Sequence, residues 1–158
     1  MTNPVAGSRR ELRYPSDEFS PPPEVGILVP AGWESLVLPR TLIAARLASD
    51  GDDFAPNVVV TSDRVVDGIA EVFRRQSASI DELTDVSRSD PIDSEINGQQ
   101  WRCWEYAFSD PEAGTLMQIV AVTDAESHMV SVVVTASADA AERTIATLRA
   151  IVQSVTLR

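Results

Sequence analysis

The chain has 158 residues, about one domain, and this is long enough to bury a sizeable core. Its net charge of -11 excludes a nucleic-acid surface, which needs clustered cations, and its thirteen basic residues are all Arg, so lysine Schiff bases and a P-loop lysine are excluded too. One Cys cannot close an internal disulfide, no apolar run is long enough to span a membrane, and the N-terminus lacks the apolar core of a signal peptide, so a cytoplasmic location is expected.

Residues 1–23 are polar and proline-bearing and read as a flexible tail; residues 24–158 read as a single domain. The domain should open with a short strand, Val25–Val29, stopped by Pro30, after which Trp33 plugs the core under a loop. A second strand is expected over Thr41–Ser49 and a third over Asn57–Thr61, with the acidic loop Asp50-Gly51-Asp52-Asp53 between them. Ser62 or Asp63 should cap a first helix running to about Ser79, with Gly68 inside it costing about 1 kcal/mol. The second helix follows from Ala141, Ile145, Leu148, Val152 and Val155; Asp139 with Glu142 resembles a capping box, and Ser137 is the alternative cap.

Between the helices the pattern predicts a four-stranded antiparallel meander: Thr84–Ile96, Gln99–Ser109, Thr115–Thr123 and His128–Ala136. Asn97-Gly98 favours a two-residue type I′ turn, in which both central residues need positive φ. Pairing the later turns symmetrically puts Cys103 opposite Val120 and Val120 opposite Ser131. One face then carries Trp104, Tyr106, Phe108, Ile119, Ala121 and Val132; the other carries Trp101, Cys103, Glu105, Gln118, Val120, Met129 and Ser131. Both faces are mostly apolar, whereas a sheet wetted on one side alternates cleanly. Something must cover each. Two helices and about seven strands make an α+β fold, an α/β/α sandwich with a central antiparallel sheet.

The residues point to no chemistry. Cys103 and His128 are the one possible nucleophile–base pair, and this register puts them roughly 10 Å apart across the sheet and on opposite faces. The acidic loop lacks the spacing of a calcium site, no zinc spacing occurs, and no phosphate-loop or nucleophile-elbow motif is found. No catalytic residue, metal ligand or cofactor is therefore assigned. What remains is Glu105 with Gln118, flanked by Trp101 and Met129. A carboxylate among apolar neighbours needs a partner: Arg46 or Arg102 within the domain, or an incoming ligand. These four residues are the candidate binding surface.

Pro30-Ala31-Gly32-Trp33, Phe54-Ala55-Pro56-Asn57-Val58-Val59-Val60, the Ile96-Asn97-Gly98 turn and the helix after the valine strand resemble the actinobacterial LpqN family and the related DcrB proteins. The resemblance spans about Glu24 to Arg158 and implies the PsbP-like fold, a sheet with helices on its faces. It carries no catalytic set, because members share fold more than role. The expected function is a non-catalytic accessory or protein-binding module. Its partner would be a protein, or a second copy of the chain on the apolar side of the sheet. The alternative is a carrier of a small apolar ligand or lipid between sheet and helix.

Overall fold

A computed structural model describes residues 10–51 and 53–158. Met1 to Arg9 of the expected tail, and Asp52 of the acidic loop, lie outside the described residues. The elements, in order, are β1 (Val25–Gly26), β2 (Trp33–Leu36), β3 (Ile43–Leu47), β4 (Asn57–Arg64), α1 (Ile69–Asp81), β5 (Ser87–Arg88), β6 (Ile92–Ile96), β7 (Gln99–Asp110), β8 (Gly114–Ala125), β9 (His128–Ser137), α2 (Ala138–Gln153) and β10 (Thr156–Leu157). Eight strands form one antiparallel sheet in the order β2-β3-β4-β9-β8-β7-β5, with β6 also paired to β7. β1 and β10 make a separate ribbon. No helix among the described residues is long and apolar enough to cross a membrane.

The valine run sits at the centre of the sheet as β9, between β4 and β8. Branched side chains pack well on a pleated surface, and here both surfaces are clad. On one side Val130, Val132 and Val134 join Val58, Val60, Ile119, Ala121 and Trp101 beneath Leu148, Ile151 and Val152 of α2. On the other, Val120, Val122 and Trp104 lie beneath Ile80, Val72 and Phe73 of α1. The doubly covered sheet is thus an α/β/α sandwich. α1 sits over β7 and β8.

The register of β7 differs by one residue from expectation: Cys103 faces Ala121, and Trp104 faces Val120. The connecting loop is three residues, Pro111 to Ala113, because Asp110 and Gly114 still pair. Asp110 Oδ1 accepts from the amides of Glu112 and Ala113 at 2.9 and 2.8 Å, and Gly114 adopts φ 77°, the left-handed closing residue of such a loop. A one-residue slip moves a whole strand to the other face. β8 and β9 close through Glu126 and Ser127, both at positive φ, so Val120 faces Val133 where Ser131 was expected. That slip is two residues and leaves the faces unchanged.

The first helix starts seven residues later than Ser62. β4 continues to Arg64, paired with His128, and Gly68 at φ 83° precedes the helix instead of lying inside it. Val65 and Val66 fit a helical stripe, but the ladder to β9 offers the backbone bonds first. Ser137, not Asp139, caps α2, accepting from the Ala140 amide. The Thr84–Ile96 strand divides into β5 and β6 around Asp90-Pro91. Trp33 is half-buried at the start of β2, packed against the α2-side core, so its indole fills core space as a strand residue. Arg10 to Pro23 forms no helix or strand; Phe19 lies under the Arg64 guanidinium at 5.8 Å.

Candidate functional site

The four residues expected to share a surface are divided between the two faces. Trp101 and Glu105 lie on the α2 side, Gln118 and Met129 on the α1 side, as the register of β7 dictates. Trp101 is buried at 2% exposure, with its Nε1 lacking a hydrogen-bond partner. Glu105 is paired, though with neither expected arginine. Arg149 of α2 grips it in a two-pronged bridge, Nε to Oε1 at 2.9 Å and Nη2 to Oε2 at 2.8 Å. Arg46 is held by Glu34 and Arg102 by Asp93. The carboxylate raises the Arg149 pKa by accepting these bonds.

Gln118 belongs to a polar chain across three strands on the α1 face. Tyr106 Oη donates to its Oε1 at 2.6 Å, and its Nε2 donates to Thr135 Oγ1 at 2.9 Å. The register puts Tyr106, Gln118 and Thr135 side by side, so each buried polar group finds a neighbour. Burial pushes the Tyr106 hydroxyl up to about 12, which keeps it a donor. Met129 packs at the margin of the α1-side core.

Beside Glu105 a cavity of about 270 Å³ opens between α2 and the strands, lined by Ile92, Ser94, Cys103, Ile119, Arg149 and Val152. Burial, with help from the Glu105 and Asp93 charges, pushes the Cys103 thiol up to about 11. A thiol in that state is a poor nucleophile at neutral pH. His128 shares its face but lies two strands away and four residues along, roughly 10 Å by roughly 13 Å, and its Nδ1 is 3.2 Å from the Glu126 carbonyl. The opposite-face expectation for this pair is corrected by the register; the distance still separates them. Among the described residues no three His, Cys, Asp or Glu side chains converge as metal ligands.

A larger recess, about 530 Å³, lies between α1 and the β6–β7 edge. Ile69, Ala70, Phe73, Ser77, Pro91 and Trp104 line it, with Arg74 and Arg102 among them. Its shape follows from a few contacts. Trp104, fully buried, meets Phe73 edge-on at 6.0 Å and 62°, and its Nε1 donates to Ser77 Oγ at 3.2 Å. The Arg102 guanidinium lies 4.5 Å over the Phe73 ring while Asp93 holds it at 2.7 and 3.0 Å. These bonds keep the Asp93 carboxyl below its usual range. Beyond Phe73 and Arg102 a second recess of about 290 Å³ continues past Gln100 to Asp124. Sequence reasoning missed this site because helix one was expected to begin too early. The i, i+4 pair Ile69 and Phe73 was visible, but the helix start and the Arg102–Phe73 stack depend on tertiary pairing.

Sheet order, two clad faces and a closing helix define the PsbP-like α/β/α class of folds. Solved structures agree. The chain resembles LpqN of Mycobacterium tuberculosis, described as involved in cell envelope biogenesis, with a TM-score of 0.69 at 16% identity over 86% of this chain and 84% of that one. It resembles a Pseudomonas aeruginosa protein of unknown function, described as a putative regulator, at TM-score 0.62 and 12% identity over 99% and 95%. It also resembles the cyanobacterial PsbP of Synechocystis at 0.61 and 13% over 85% and 86%. The fold is LpqN/PsbP-like. No family model and no curated protein matches the sequence.

Proposed function

We propose that the chain is a non-catalytic binding module whose docking site is the recess between α1 and the β6–β7 edge. The observation that carries this reading is the open apolar recess floored by Phe73 and Trp104 with Arg102 stacked at its side. Such a recess accepts an aliphatic or aromatic side chain of a protein partner; its arginines are already held, Arg102 by Asp93 and Arg74 by Glu71. The raised Cys103 thiol and its distance from His128 support a role without catalysis. A second reading, a carrier of a small apolar ligand, draws support from the cavity beneath α2 lined by Ile92, Ile119 and Val152.

Selection of displayed random peptides on the immobilised protein tests the proposal. The expected winners carry an aromatic or branched aliphatic residue, and Phe73→Ala abolishes their binding while Ile119→Ala does not. Winners insensitive to Phe73→Ala, or no winners, refute it. Loss of binding on Ile119→Ala with Phe73→Ala silent moves the site to the α2 side.

A further inference from the structure

The two edges of the large sheet are built differently. At one edge β6 carries Asp93 and Glu95, and Asp90-Pro91 breaks the run between β5 and β6. Charges and a proline on a last strand hinder pairing with another sheet. At the other edge β2 has one charged residue, Glu34, and Arg46 of β3 holds it at 2.6 Å. Immediately beyond β2, Val37 is fully exposed at 101% and Leu38 is 42% exposed.

The hydrogen-bond phase of β2 decides what its free edge offers. The Ala48 amide donates to the Gly32 carbonyl at 2.9 Å, so Gly32 and Ala48 are a hydrogen-bonded pair. By antiparallel alternation Glu34/Arg46 and Leu36/Ala44 are hydrogen-bonded pairs too. Trp33 and Ser35 therefore turn their backbone groups outward, and Val37, one residue past the last paired residue, would do so if the strand were prolonged by one residue. The Trp33 amide donates to Pro30 instead, at 3.3 Å, which leaves its carbonyl free.

These outward groups complement themselves. An antiparallel two-fold centred on Ser35 sets Ser35 against its counterpart and Trp33 against Val37 of the other copy. Both Ser35 residues exchange N–H and C=O bonds, and each Val37 amide meets the free Trp33 carbonyl opposite. Directly opposed residues share a face, so each exposed Val37 lies beside the other copy's half-buried Trp33. Glu34 lies opposite Leu36 and never opposite Glu34. The overall charge of -11 opposes association, but within the paired stretch the one charge, Glu34, is neutralised by Arg46. We infer that the chain forms a two-fold homodimer by β2–β2 pairing about Ser35, extending the sheet through both copies. Pro30 and Pro39 bound the paired stretch, so the interface is short and the dimer is weak and concentration-dependent.

Sedimentation equilibrium of the full chain over a rising concentration series tests this. Wild type is expected to show a monomer–dimer equilibrium. Ser35→Pro removes an outward amide that an edge strand can spare, and one bond lost from each copy lowers the association constant by about tenfold or more. Val37→Glu, on a fully exposed side chain, places a carboxylate beside the opposite Trp33 and weakens the dimer in the same sense. Leu28→Glu, at an exposed apolar residue outside β2, leaves the equilibrium unchanged. Circular dichroism confirms that each variant folds; should Ser35→Pro not fold, Val37→Glu decides the question alone. A wild type that stays monomeric at every concentration, or a dimer indifferent to Val37→Glu, overturns the inference.

Discussion

Replacing Phe73 by Ala tests the packing that shapes the recess between α1 and the β6–β7 edge. Phe73 is half-buried, so the apolar area lost is worth about 1 kcal/mol, roughly half the value for a fully buried phenyl ring. The edge-on contact with Trp104 at 6.0 Å adds about 1 kcal/mol. Arg102 at 4.5 Å adds about 0.5 kcal/mol, a low value because the guanidinium is partly solvated and already held by Asp93. The expected loss is therefore about 2.5 kcal/mol, below the ~3–5 kcal/mol of a fully buried Phe→Ala. In a domain of this size that lowers Tm by about 5–10 °C. Urea unfolding followed by far-ultraviolet circular dichroism should show a lower midpoint and an unchanged slope. Phe73→Leu keeps much of the area but neither aromatic contact, and should lose about 1.5 kcal/mol. A loss below about 0.5 kcal/mol for Phe73→Ala would mean that α1 is not anchored through this ring.

Further tests address the two faces separately. Tyr106→Phe strands the half-buried Gln118 Oε1 and should cost about 1 kcal/mol in the same unfolding assay, whereas Arg149→Ala, breaking a largely exposed pair, should cost about 0.5 kcal/mol or less. Glu71 is held down to about 2, from 4.5, chiefly by the bond from Arg74 and then by Arg75. Its folded-state pKa is depressed, so its contribution is complete above about 4.5 and fades as the pH falls towards about 2. Glu71→Gln should flatten stability against pH across that window, and parallel profiles would contradict the pairing. Cys103 should react with iodoacetamide at pH 8 many-fold more slowly than a free thiol, with the rate climbing towards pH 11; a fast reaction at pH 8 would show an open, activated sulfur.

Local features were the legible part of this fold. Asn97-Gly98 closes β6 and β7 with φ of 49° and 82°, and the valine run became the centre of the sheet. The Leu148, Val152 and Val155 spacing gave the buried stripe of α2 and its C-terminal continuation. What failed was counting. Setting Cys103 against Val120 implies a loop with an even number of residues; the loop is odd and centred on Glu112, so β7 turns over and Gln118 leaves the side of Glu105. Asp110 and Gly114 hold that loop, the first by accepting from the Glu112 and Ala113 amides and the second by its positive φ. Glu105 and Arg149 are separated by 44 residues, so no local pattern could join them. The start of α1 was hidden for a related reason: the Thr61–Arg64 stretch pairs with β9, and only that ladder shows the helix must wait until Ile69.

We propose above that a partner docks in the recess between α1 and the β6–β7 edge. The most direct test is a ¹⁵N-resolved NMR titration with a peptide recovered by selection. Saturable shifts should gather on Ile69, Phe73, Ser77, Arg102 and the Trp104 indole N–H. Shifts gathered instead on Cys103, Ile119 and Val152, or spread without focus over the surface, would contradict it.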